Sequence, residues 1–117
     1  MRFIQYPKCS TCKKARAWLA EHGVPFEDRH IVEQNPTAEE LADWHGRSGL
    51  PLKRFFNTSG LLYKSMNLKD RLPDMPEAEQ LRLLAADGML VKRPIVVDGE
   101  TVLVGFKPAE WEAALLK

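Results

Sequence analysis

No stretch of the 117-residue chain approaches the ~18 apolar residues of a membrane-spanning helix, which excludes a helical membrane span. Nor does an apolar signal core follow Met1. The chain runs Arg2, Phe3, Ile4, Gln5, Tyr6, Pro7, Lys8 and reaches Cys9 at once, so the expected location is cytoplasmic. An excess of either charge is missing too: 17 Lys and Arg face 16 Asp and Glu, for a net charge of +1. No whole-chain field therefore draws the protein to nucleic acid or to a membrane surface, and neither is an expected direct partner. Cysteine is scarce, with only Cys9 and Cys12. A bridge between them would close a tiny loop and constrain the unfolded chain little, so a structural disulfide framework is excluded. The three histidines, His22, His30 and His45, do not stand at metal-ligand spacings with each other or with the cysteines. Neither a metal nor a bound cofactor is expected.

The chain does have enough apolar residues, 44%, to bury a core without staples. Residues 1–117 are therefore read as one domain. Arg2 to Tyr6 predicts a strand that Pro7 ends. A helix follows, with Ser10 or Thr11 as its cap and Ala15, Trp18, Leu19 and His22 on one face, until Gly23 stops it. Residues 24–31 predict a second strand with Phe26 inward, and the strand-helix-strand order implies a parallel pair. The middle, about residues 37–88, reads as an inserted helical layer. Thr37 caps its first piece, in which Ala38, Leu41 and Trp44 recur, and Leu81, Leu84 and Ala85 form the stripe of its last. No strand signal interrupts it. After Gly88 the pattern returns to β: residues 94–97, a turn at Asp98 and Gly99, and residues 101–104 predict a hairpin. Pro108 suits the first turn of a closing helix that packs Trp111, Ala114 and Leu115 on the sheet. The fold class is α/β.

The chemistry concentrates at Cys9 and Cys12, spaced C-x-x-C at the start of the first helix. Unpaired N–H groups and the helix dipole favour negative charge there and lower a thiol's pKa from about 8.5. Cys9 is thus the expected nucleophile. Cys12, one turn further and less exposed, is the thiol expected to attack a mixed disulfide on Cys9. Lys8, Lys13 and Lys14 surround the pair with positive charge, either as an anion-attracting rim or as an ordinary solvated face. Arg93 directly precedes Pro94 at a strand entrance, a place where cis prolines occur. Read alone, Arg93 is either a surface cation or a rigid fork aimed at the thiols. His22, within the apolar stripe, is expected to pack or cap rather than to act as a base. Trp18, Trp44 and Trp111 are expected in the core.

The order of Tyr6, Pro7, Lys8, Cys9, Ser10, Thr11, Cys12, Lys13, Lys14, then a long helical middle, then Lys92, Arg93, Pro94 and Gly105, Phe106, Lys107, Pro108 resembles the glutaredoxin-linked arsenate reductase family and its Spx-like branch. The segments beginning at Phe55, Leu62 and Asp87 are similar too, so the resemblance covers nearly the whole chain. It implies a thioredoxin-like four-stranded mixed sheet with a helical insertion, a nucleophilic Cys9, and Arg93 in the site beside a cis Pro94. It also implies arsenate reduction with glutathione and glutaredoxin as partners, the oxyanion being held by three arginines. Two of those are replaced here, near Tyr63 and Lys64 and at Phe106 and Lys107. Lysine keeps the charge and loses the bidentate fork. The expected catalytic set is therefore Cys9, Cys12 and Arg93, with Lys8, Lys13, Pro94 and Lys107 binding substrate. The second cysteine matches the Spx-like branch, which implies an alternative: a Cys9–Cys12 disulfide switch that governs binding to the C-terminal domain of the RNA polymerase α subunit.

Overall fold

The computed structural model describes residues 1–116. Strand β1 spans Arg2–Gln5, helix α1 spans Ser10–Glu21, and strand β2 spans Glu27–His30. β1 and β2 pair in parallel, in a register from Arg2 opposite Glu27 to Gln5 opposite His30. β2 starts later than its sequence pattern suggests because Pro25 has no N–H to give a ladder. Val24 and Phe26 still serve the core, and the Phe26 ring meets the Phe3 ring edge-on at 5.2 Å.

The insertion begins with α2, Ala38–Ser48. Its start carries the capping box that Thr37 foreshadowed: the Glu40 N–H donates to the Thr37 hydroxyl at 3.1 Å, and the Thr37 N–H donates to the Glu40 carboxylate at 3.0 Å. A 3-10 turn at Leu52–Phe55, α3 (Leu61–Ser65), α4 (Leu68–Arg71) and α5 (Glu77–Ala86) follow. The expected helical layer is broken between α3 and α4 by Asn67, which takes the left-handed conformation at φ 54°. Gly88 opens a final 3-10 turn, Gly88–Leu90, so close to the β2 end that a Cβ would lie 2.2 Å from the Ile31 carbonyl oxygen. Only glycine fits this approach.

β3 (Ile95–Asp98) runs antiparallel to β1 and to β4 (Thr101–Val104), giving the sheet order β2-β1-β3-β4. The last helix, α6, spans Pro108–Leu115. This is a four-stranded mixed sheet in a thioredoxin-like α/β fold. Alternation along the strands sorts the core into two layers. Phe3, Val96 and Leu103 pack with Ala15, Leu19 and Trp111 of α1 and α6. Ile4, Ile95, Val97, Val102 and Val104 pack with Leu41, Trp44, Phe55, Phe56 and Leu84 from the insertion.

One strand-like contact lies where none is signalled in the sequence. Phe56 and Val91 form an isolated antiparallel bridge, with the Asn57 N–H donating to the Leu90 carbonyl at 2.7 Å and the Lys92 N–H to the Phe55 carbonyl at 2.8 Å. A single pair is too short to carry a strand's period-two pattern. It fastens the insertion to the segment leading into Arg93 and Pro94.

Candidate active site

The chain turns sharply after β1, and the Cys9 N–H donates to the Tyr6 carbonyl at 3.0 Å. Cys9 itself, not Ser10 or Thr11, is the N-cap of α1: its backbone is extended, and its carbonyl accepts from the Lys13 N–H at 3.0 Å. No side-chain oxygen caps this end. The backbone N–H groups of Cys12 and Thr11 are directed instead at the Cys9 sulfur. A cysteine at this position turns the helix's unsatisfied donors into thiolate stabilisers.

Burial works against the Cys9 thiolate, but hydrogen bonds from the Cys12 N–H, the Cys12 thiol, the Arg93 side chain and the Thr11 N–H overcome it and hold the thiol below its ordinary value. Cys12 moves the other way. Its burial pushes it up to about 12 against the help of a hydrogen bond from the Tyr6 backbone, and its bond to Cys9 and the charge there raise it further. The two thiols are free, Cys9 half-buried and Cys12 buried beneath it. The environment favours the charged form of one thiol and the protonated form of the other.

Cys9 opens into a cleft of about 560 Å³. Arg93 and Lys92 supply its positive charge, Asn57 and Asp87 its neutral and acidic polar groups, and Leu61, Leu62 and Met89 its apolar surface. The Asp87 carboxylate accepts from the Met89 N–H at 2.9 Å, and Leu61 is 85% exposed at the rim. Two cations beside a thiolate suit a substrate that carries or develops negative charge. The apolar surface suits one with organic bulk.

Of the residues singled out in the sequence, Cys9 and Arg93 line this cleft together, with the buried Cys12 thiol hydrogen-bonded to Cys9. The Arg93–Pro94 peptide bond is cis, and Pro94, buried, accepts the Gly105 N–H on its carbonyl at 2.8 Å. Lys8 and Lys13 are exposed and do not line the cleft. Lys107 lies elsewhere as well, at the start of α6, with its ammonium 4.0 Å from Glu110. Tyr63 is buried against Phe56, and Lys64 is exposed outside the cleft, so neither takes the place of a substrate-binding arginine. His22 caps α1, its Nδ1 2.8 Å from the Trp18 carbonyl, and stays exposed. Lys92, Asn57, Asp87 and Leu61 are lining residues that spacing alone did not reveal. Their signal was present only as the segments beginning at Phe55 and Asp87, without a role attached.

Known proteins resemble the chain along most of its length. The family model described as "ArsC family" matches residues 4–114. The YusI protein of Bacillus subtilis is 55% identical over 96% of this chain and 95% of its own length. The global transcriptional regulator Spx of Enterococcus faecalis is 32% identical over 89% of this chain and 77% of its own. Among solved structures, that of a possible arsenate reductase from Streptococcus mutans superposes with a TM-score of 0.89 at 39% identity, covering 97% of each chain.

Proposed function

The chain belongs to the ArsC family, in its Spx-like branch, and from that premise we propose that it is a thiol oxidoreductase acting on disulfides with glutathione or glutaredoxin as the source of electrons. The observation that carries this reading is the opposed acidity of two adjacent thiols beneath one guanidinium. Cys9 thiolate attacks one sulfur of a substrate disulfide. A Cys9–substrate disulfide forms, and the other half leaves as a thiolate that Arg93 and Lys92 stabilise until it takes a proton. Cys12 then gives up its proton, which becomes easier once Cys9 no longer carries charge. Its sulfur attacks Cys9, and the second half of the substrate departs as a thiol. Two external thiols reduce the Cys9–Cys12 disulfide and are themselves oxidised to a disulfide, which balances the two electrons delivered.

Arsenate is the less suited substrate. Lys107 and Lys64 do not line the cleft, leaving one guanidinium to bind an oxyanion. Steady-state assays with glutathione and glutaredoxin, first on arsenate and then on a model disulfide, test the proposal. Turnover of the disulfide that Cys9→Ser abolishes is the expected result. Rates with both substrates indistinguishable between wild type and Cys9→Ser would sink it. The likeness to Spx supports a second reading, a redox-dependent partner of RNA polymerase. Capture by the C-terminal domain of the polymerase α subunit in one redox state and not the other would favour that reading, and no capture in either would remove it.

A further inference from the structure

Arg93 must hold its charge at the Cys9 sulfur, yet among the described residues no carboxylate lies within ion-pair distance of it. Its Nη1 donates to the Met89 carbonyl at a long 3.4 Å. The guanidinium sits over an aromatic ring: its carbon is 5.2 Å from the centre of the Tyr6 ring. The ring is fixed in turn. Tyr6 follows the last residue of β1, its carbonyl accepts the Cys9 N–H, and His30 at the end of β2 meets it edge-on at 5.7 Å. The His30 imidazole is itself held, its Nδ1 accepting from the Val32 and Glu33 N–H groups at 3.1 Å each.

We propose that Tyr6 is a positioning residue, whose ring face holds the Arg93 guanidinium over the Cys9 sulfur without neutralising it. This deepens the functional reading above and rests on it. A carboxylate in the same place would fix the arginine equally well but would cancel part of the charge the thiolate needs, and would itself repel the thiolate. A ring attracts the cation through its quadrupole and carries no net charge. The other ionisable groups about Cys9 are Cys12 beneath it and Asp87 and Lys92 across the cleft, and none of these contacts the Tyr6 face in the way Arg93 does. The Tyr6 hydroxyl takes no part in this, so the ring alone is required.

The test is the alkylation rate of Cys9 against pH in the intact chain, with the modified cysteine identified by tandem mass spectrometry. Tyr6→Phe is expected to titrate as wild type. Tyr6→Leu should raise the midpoint by about half a unit to one unit, a three- to tenfold loss of thiolate below it. In an Arg93→Gln background Tyr6→Leu should have no further effect, since the ring acts only through the arginine. Pentafluorophenylalanine at position 6 keeps the ring's shape and reverses its quadrupole, so it should behave as leucine does even if Tyr6→Leu does not fold. A Cys9 midpoint unchanged in the fluorinated protein, or an equal shift in Tyr6→Phe and Tyr6→Leu, overturns the assignment while leaving the oxidoreductase reading intact. A wild-type Cys9 that titrates as a free thiol takes both.

Discussion

Two identical side chains, one helical turn apart, acquire opposite acidities because their surroundings differ in a few donors. Cys9 receives N–H groups and a guanidinium, whereas Cys12 is buried beside the Cys9 sulfur, whose charge opposes its own. In the proposed reaction the Cys9–substrate disulfide removes that neighbouring charge, so the second thiol ionises more easily once the first has reacted. Cys12→Ser should therefore accumulate the Cys9–glutathione mixed disulfide on treatment with oxidised glutathione, whereas wild type proceeds to an internal disulfide. Intact-mass analysis distinguishes the two, and a variant that clears the adduct as fast as wild type would show that Cys12 is not the resolving thiol. At this scale the pairing of the two thiols was legible in the sequence and the direction of the lysines was not. C-x-x-C fixes two residues on one turn, while Lys8, Lys13 and Lys107 are exposed, and nothing in spacing says which way an exposed cation points.

Among the elements, β2 and α2 are clamped by a bidentate pair: Arg29 donates to both Glu40 oxygens, at 2.7 and 2.8 Å, while Glu40 also closes the capping box. The Arg29 hydrogen bonds, joined by the Thr37 N–H and the nearby Arg2, overcome burial and bring the Glu40 carboxyl down to about 2 from 4.5. A depressed carboxyl stabilises the fold in full above its unfolded pKa and loses that contribution as pH falls through the folded one. Glu40→Gln keeps the cap, because glutamine serves at that position, and removes only the charge. It should cost about 1–2 kcal/mol at neutral pH. Urea unfolding should show the gap between variant and wild type closing as pH falls from 4.5 towards 2. A gap that stays constant over that interval would refute the pairing's role. Both ends of this clamp are charged residues distant in sequence, which is why Thr37 was legible as a cap while its partner's second bond was not. The β3–β4 hairpin was readable to within one residue, since a turn glycine between two β-branched runs is a local signal; Asp98 pairs with Thr101 in the ladder, and the turn is Gly99 and Glu100. β2 was overextended across Pro25, and the α3–α4 break at Asn67 escaped because a single left-handed residue leaves the apolar spacing intact.

For the molecule as a whole, near-balanced charge and a sheet packed on both faces leave the Cys9 cleft as the place where positive charge and reactivity coincide. A labelled random DNA duplex should show no binding by fluorescence anisotropy at about 0.15 M salt, because a net charge of +1 cannot displace many counterions. Association that survived this salt would mean that Lys8, Lys13 and Lys14 act together as a local patch. The two-layer arrangement of the core followed from alternation and helical periodicity, but the cleft did not: its walls come from the start of α1, the middle of the insertion and the segment 87–93 after it, the last two joined by the bridge of Phe56 to Val91. Cys9 acidity is set by α1 and Arg93, while residues 57–62 form a wall of their own, anchored by that bridge and by the buried Tyr63 that follows. The cleft is thus assembled from separate stretches of chain, so under the proposed function a substitution within residues 57–62 is expected to change which disulfide is accepted while the surroundings of Cys9 stay as they are.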